Sequence, residues 1–228
     1  MFQSWRRLLF AHWPVAPEAL APVVPPQLPI DTFEGRAWVA VTPFEVRGFR
    51  LRLTPPLPGV SSFTEINVRT YVTVGGRPGI YFLSLDADSR PAVAGARRFF
   101  RVPYFLASMK AASDEGDIRF ESERTARDGP PATFRAAYGP AGARFTAASG
   151  SLEHWLTERY RLYTLDERRR ILSGEIQHAP WPLQPARATV AENTMGQQVG
   201  LDLPGEPLVH YAARQDVTFW RLAPSGPG

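Results

Sequence analysis

Apolar and polar positions alternate along most of the chain with a period of two. The clearest case is Phe63 to Val74. Thr64, Ile66, Val68, Thr70, Val72 and Val74 form one face, and Phe63, Glu65, Asn67, Arg69, Tyr71 and Thr73 the other. That period belongs to a β-strand. Gly75-Gly76-Arg77-Pro78-Gly79 follows as a five-residue connection, and Ile80 to Leu85 completes a hairpin. Gly35 to Phe49 sets Ala37, Val39 and Val41 against Trp38, Ala40 and Thr42. Ile118 to Thr125 and Thr133 to Tyr138 flank Asp128-Gly129-Pro130-Pro131, a second hairpin. Arg159 to Leu165, Arg170 to His178 and Leu208 to Leu222 read as further strands.

Helical signals are few. Pro17 to Val24 is limited by Pro14 and Pro25, Arg90 to Phe100 has Pro91 in its first turn, and Ser151 can cap a helix reaching Glu158. The expected fold is mainly β, a single antiparallel barrel or cone over residues 1–228 with a few short helices. Proline clusters at Pro22-Pro25-Pro26-Pro29, Pro55-Pro56-Pro58 and Pro180-Pro182-Pro185 read as turns and edges. No internal repeat interrupts the pattern.

Composition narrows the class. The chain has 228 residues, 44% of them apolar, and no cysteine, so a disulfide scaffold is excluded. Lys110 is the single lysine among 26 cationic residues, the rest being arginine. Arginine hardly titrates, so a formal charge of only +4 gives a pI near 9.7. That excess is a small footprint for nucleic acid. The triplet Arg168-Arg169-Arg170 follows Asp166-Glu167 and reads as a solvated face. No run of 18 apolar residues predicts a membrane helix. Near the N-terminus, the apolar run Leu8 to Ala11 is shorter than a secretory core. The segment is therefore read as structural and the protein as cytoplasmic.

The chemistry is limited by what is missing. His12, His154, His178 and His210 have no metal-ligand spacing, so no metal and no cofactor are expected. There is no Gly-x-Ser-x-Gly, and Gly196 to Gly200 lacks the lysine of a phosphate loop. Two constellations remain. Glu65, Asn67, Arg69 and Tyr71 share one strand face, either a solvated outer face or the wall of a ligand pocket. At the end of the Arg90–Phe100 helix, Arg97, Arg98 and Arg101 interleave with Phe99, Phe100, Tyr104 and Phe105. They either snorkel from a packed helix or aim a guanidinium at an anion.

Several motifs resemble the YqjF-like family of uncharacterised bacterial proteins: His12-Trp13-Pro14, Asp31-Thr32-Phe33-Glu34-Gly35-Arg36-Ala37-Trp38, Glu65-Ile66-Asn67-Val68-Arg69-Thr70-Tyr71, Leu156-Thr157-Glu158-Arg159-Tyr160 and His178-Ala179-Pro180-Trp181-Pro182-Leu183. The likeness spans nearly the whole chain. A more distant resemblance is to acetoacetate decarboxylase, which forms a Schiff base on the first lysine of Pro-Lys-Lys. Here Pro103-Tyr104-Phe105 occupies that motif, preceded by Arg97-Arg98, and Phe63-Thr64-Glu65 matches the enzyme's Tyr-Thr-Glu. An ungapped alignment through Val23-Val24-Pro25 lays the enzyme's N-terminal active-site arginine on Arg6. The resemblance implies the fold and a pocket, while tyrosine at position 104 argues against imine chemistry.

The expected function is recognition of a small anionic organic molecule in an interior cavity. Glu65 would be the acid/base group and Tyr104 a hydrogen-bond donor. Arg97 and Arg6 would neutralise a carboxylate, and Asn67, Arg69 and Tyr71 would line the wall. A carboxylate buried beside an arginine stays ionised, which suits a base. Two other classes remain open. One is a non-catalytic protein in which Glu65 and Arg97 form a buried ion pair. The other is a nucleic-acid-associated module, suggested by the arginines.

Overall fold

The computed structural model describes residues 1–51, 54–55, 60–114 and 116–225. Pro56 and Pro58 of the second proline cluster lie outside them.

Alternation does produce strands, and long ones. β1 (Phe2–Val15), β2 (Ala37–Arg50), β3 (Phe63–Val74) and β4 (Arg77–Ala87) form an antiparallel run, joined on its β1 side by β11 (Leu208–Phe219). From β4 the sheet continues in two directions. One branch is the parallel partner β8 (Arg161–Leu165), then β9 (Ile171–Gln177), which returns to β11 and also pairs with β12 (Ala223–Pro224). The other is the parallel partner β5 (Tyr104–Asp114), then β6 (Asp117–Arg124), β7 (Thr133–Pro140) and β10 (Gln184–Asn193), which also returns to β11. Two barrel-like circuits of pairing therefore share β1–β4 and β11, a mainly β, cone-like architecture.

Shared strands have two buried faces. Leu9, Ala11, Val39, Val41, Ile66 and Val68 enter one core with Phe120, Phe134 and Tyr138 of the β5–β7 side. Leu8, Phe10, Trp38, Phe44 and Tyr71 enter a second core with Leu162 and Trp181 of the β8–β9 side. A one-residue bulge adjusts the faces of β4. Val68 pairs with Ser84 and Arg69 with Phe82, leaving Leu83 unpaired and turned into the first core.

Several expectations change. The β3–β4 connection is a two-residue turn, not a five-residue one, because Gly75 and Gly76 both take positive φ (56° and 71°) and allow the tight hairpin geometry. The apolar N-terminal run belongs to β1, in the middle of the sheet. β5 and β10 are further strands that the alternation did not announce. α1 spans only Pro17–Leu20. α2 (Arg90–Phe100) has the expected bounds: the Ser89 hydroxyl accepts from the Ala92 amide, and Arg101 ends it in the left-handed region. α3 (Leu152–Thr157) is capped by Ser151, which accepts from the His154 amide at 3.2 Å. Among the described residues no helix is long and apolar enough to cross a membrane.

Candidate functional site

The β3 face carrying Glu65, Asn67, Arg69 and Tyr71 is not a solvated outer face. All four are buried, at 6%, 3%, 6% and 0% exposure. The reason is topological: β3 is a shared strand, and this face looks into the second core. Strand rise places Glu65 about 13 Å from Arg69 along the backbone, so the row has two chemically different ends.

At one end the Tyr104 hydroxyl, at the start of β5, donates to Glu65 Oε2. Parallel pairing of β4 with β5, Leu85 opposite Tyr104, brings the two together. Burial raises the Glu65 carboxyl from 4.5 to about 7, while hydrogen bonds from Tyr104 and Asn67 act in the other direction. Burial also pushes the Tyr104 hydroxyl well above its usual range, and Glu65 adds to the effect. Tyr104 is thus a neutral donor, and Glu65 is poised to hold or release a proton near neutrality. The expected ionised carboxylate beside Arg97 is corrected: the groups that bond Glu65 are uncharged.

Arg97 is not at that end. Its Nε donates to the Tyr104 carbonyl from outside, and its Nη1 pairs with Asp128 at 2.6 Å, with the side chain 39% exposed. The proposed Glu65–Arg97 ion pair is therefore absent. Of the two phenylalanines that end α2, Phe100 packs against Phe219 as expected, but Phe99 is 71% exposed. Arg6 is exposed too, opposite Glu45 and Arg214 in the sheet register.

At the other end lies a cationic, aromatic cluster. The Arg69 guanidinium sits over Phe10 at 5.3 Å. Among the described residues no carboxylate forms an ion pair with Arg69, and its buried Nε has no hydrogen-bond partner. The Tyr71 hydroxyl meets His12 Nε2 at 2.9 Å. Burial holds His12 well below its ordinary value, and Arg69 and His210 lower it further, so the imidazole is neutral. Arg159 covers the Tyr71 ring at 5.0 Å and the Trp155 ring at 4.3 Å. Its Nη1 pairs with Asp31 at 2.7 Å. Four of the eleven unpartnered buried side-chain atoms among the described residues belong to this inner side: Asn67 Oδ1, Arg69 Nε, Arg159 Nη2 and Trp181 Nε1. Orphaned buried polar groups are rare because each costs free energy, so each calls for a reason.

His12, Arg159 and Trp181 were not proposed as site residues from the sequence. A signal was present, since all three fall inside the motifs that carried the family resemblance, on three segments far apart in the chain. Among the described residues no group of three or more His, Asp or Glu side chains is placed to hold a metal. Many surface arginines are neutralised by carboxylates, among them Arg135 by Glu192, Arg187 by Asp117 and Arg214 by Asp216.

Comparison with known proteins agrees with the architecture. The enduracididine biosynthesis enzyme MppR, in its complex with pyruvate, superposes with a TM-score of 0.65 at 14% identity, over 99% of this chain and 90% of that one. An acetoacetate decarboxylase structure gives a TM-score of 0.62 at 14% identity, over 98% and 88%. At such identity these are likenesses of fold. The uncharacterized protein YqjF of Bacillus subtilis (strain 168) is 49% identical over 223 residues, 97% of this chain and 91% of that protein. Residues 2–216 match the DUF2071 family of uncharacterized conserved proteins, and it is to this YqjF-containing family, with an acetoacetate decarboxylase-like fold, that the chain belongs.

Proposed function

We propose that the interior face of β3 binds a small organic anion, with its negative charge on Arg69 and its reacting or hydrogen-bonding end beside Asn67, Glu65 and Tyr104. One observation carries the reading: a guanidinium 6% exposed, with no carboxylate partner among the described residues. A buried charge without a counter-ion is costly even when polar and aromatic groups touch it, and a ligand carboxylate relieves it. That a protein of similar fold has been captured with pyruvate supports a small carboxylate as the ligand class.

Glu65, titrating near 7, is the group that exchanges a proton with the ligand. Tyr104 remains protonated and orients it. An imine is not part of the mechanism. Tyr104 stands at the nucleophile position of the related enzyme, and Lys110 is exposed on β5, in register with Glu121. Six residues of extended strand separate it from Tyr104, about 20 Å. The acidic stretch after Lys110 includes Glu115, which lies outside the described residues.

The test uses pyruvate as probe. Calorimetric titration is expected to show binding to the wild-type chain and loss of binding in Arg69→Met. In D2O, NMR is expected to show faster exchange of the pyruvate methyl protons with the wild-type protein than with Glu65→Gln. Equal binding by Arg69→Met rejects the anion site. Equal exchange with Glu65→Gln rejects the proton-transfer role. Borohydride added with acetoacetate is expected to leave no adduct on Lys110, and a reduced adduct there, lost in Lys110→Arg, reverses the exclusion of imine chemistry.

A further inference from the structure

We propose that Arg159 is the second arm of an anion clamp whose first arm is Arg69, and that the clamp takes one carboxylate group rather than two. The proposal rests on the reading of the interior as an anion site and adds to it a residue, a partner and a charge limit.

Arg159 follows α3, a segment remote from β3 in sequence, and its guanidinium lies 5.0 Å from the Tyr71 ring centroid. Its guanidinium is held at two nitrogens. Nε donates to the Trp155 carbonyl at 2.6 Å, and Nη1 to Asp31 Oδ2 at 2.7 Å. Asp31 is itself fixed to β3, its amide donating to the Tyr71 carbonyl at 2.9 Å. Trp155 closes one side, with its ring 4.8 Å from that of Tyr71. The third nitrogen, Nη2, is buried and bonds nothing. A guanidinium serving only to tie α3 to β3 gains by placing its remaining donors on carbonyls, as buried arginines do. Here two nitrogens fix the plane and the third is presented, a pre-organised arrangement for an incoming oxygen.

Charge sets the stoichiometry. Arg69 and Arg159 bring two positive charges, Asp31 removes one, and the buried His12 is neutral. With Glu65 protonated, one uncompensated positive charge remains, which a monocarboxylate cancels. A second carboxylate would leave a buried negative charge without a partner. The unpartnered Asn67 Oδ1 lies on the same face of β3, toward Glu65, and accepts from a hydroxyl or amide donor on the ligand.

The experiment titrates the full chain with pyruvate and with malonate, by calorimetry, and follows unfolding of each variant as a control. The wild type is expected to prefer pyruvate. Asp31→Asn releases Arg159 and adds a net positive charge, so malonate affinity is expected to rise about tenfold and the preference to narrow or invert. The double variant Asp31→Asn/Arg159→Gln, which leaves no orphaned carboxylate, is expected to lose that gain and to bind pyruvate about tenfold more weakly than the wild type. If both variants bind like the wild type while Arg69→Met abolishes binding, Arg159 is only structural and the anion site stands. If neither anion binds the wild type, or Arg69→Met binds as well as it does, the clamp and the functional reading fall together.

Discussion

Two buried arginines of this chain are treated in opposite ways. Arg124, on β6, is fully enclosed with Asp86 of β4. Its Nε donates to Asp86 Oδ2 at 3.0 Å, its Nη2 to Asp86 Oδ1 and to Ser84 Oγ at 2.7 Å, and its Nη1 to the Pro130 carbonyl at 3.1 Å. The guanidinium lies 3.9 Å from the Phe105 ring centroid. Every nitrogen has a partner, and the pair fastens β6 to β4 across the start of β5, where Tyr104 begins. Arg69 is equally buried, yet it has an aromatic ring beneath it and no carboxylate in contact. The fold can satisfy an interior guanidinium completely, and at Arg69 it does not. The first arginine is part of the scaffold, and on the proposed reading the second is positioned for a ligand.

The largest expected effect is at the scaffold. Arg124→Ala leaves Asp86 as an unpaired interior carboxylate, and urea unfolding is expected to show a loss of about 3–5 kcal/mol. A loss below about 1 kcal/mol breaks the contrast.

Next comes the proton on Glu65. Its folded value of about 7 exceeds the unfolded 4.5, so the folded state holds the proton more tightly. The stabilisation is complete below pH 4.5 and is lost as pH rises through about 7, a fall of roughly 3 kcal/mol. The difference between wild type and Glu65→Gln isolates it from the opposite slope of His12, whose lowered value favours the fold as pH rises through the ordinary imidazole range. A pH-independent difference between the two proteins removes Glu65 as the neutral-range acid.

Arg69→Met sharpens the comparison directly. Removing a buried charge that has no counter-ion is expected to raise stability by about 1 kcal/mol or more while ligand binding is lost. Destabilisation like that of Arg124→Ala would make the two arginines equivalent. Tyr104→Phe, which deletes one hydrogen bond to Glu65, is expected to cost about 1 kcal/mol and to move the Glu65 titration upward. Smallest of all is Arg97→Ala, which breaks a solvent-exposed pair with Asp128. Unfolding midpoint and pyruvate binding are both expected to stay unchanged.

How much of this was legible beforehand follows from where the information resides. Glu65, Asn67, Arg69 and Tyr71 could be assigned to one face because period-two geometry is local. Whether that face met water was not local. It depends on β3 being a strand shared by two circuits, and so on pairings between segments as distant as β1 and β11. Glu65 and Tyr104 were nominated together by motif resemblance, and the parallel β4–β5 pairing supplies their contact. Arg97 was nominated by the same route, but a helix end controls only where its backbone goes. The side chain followed the Tyr104 carbonyl and Asp128 on the outer side.

The sequence by itself determined the strand class, the bounds of α2, the membership of the β3 face and the exclusion of an imine at position 104. These are consequences of residue type and near-neighbour spacing. Only the tertiary structure decided which arginine is left without a carboxylate partner. Burial and ion pairing are set by what arrives from elsewhere in the chain: Asp86 reaches Arg124, Asp31 reaches Arg159 and Asp128 reaches Arg97, while nothing anionic among the described residues reaches Arg69. A local pattern can place a charge on a face, but the dielectric around that charge and its counter-ion are properties of the whole packed molecule.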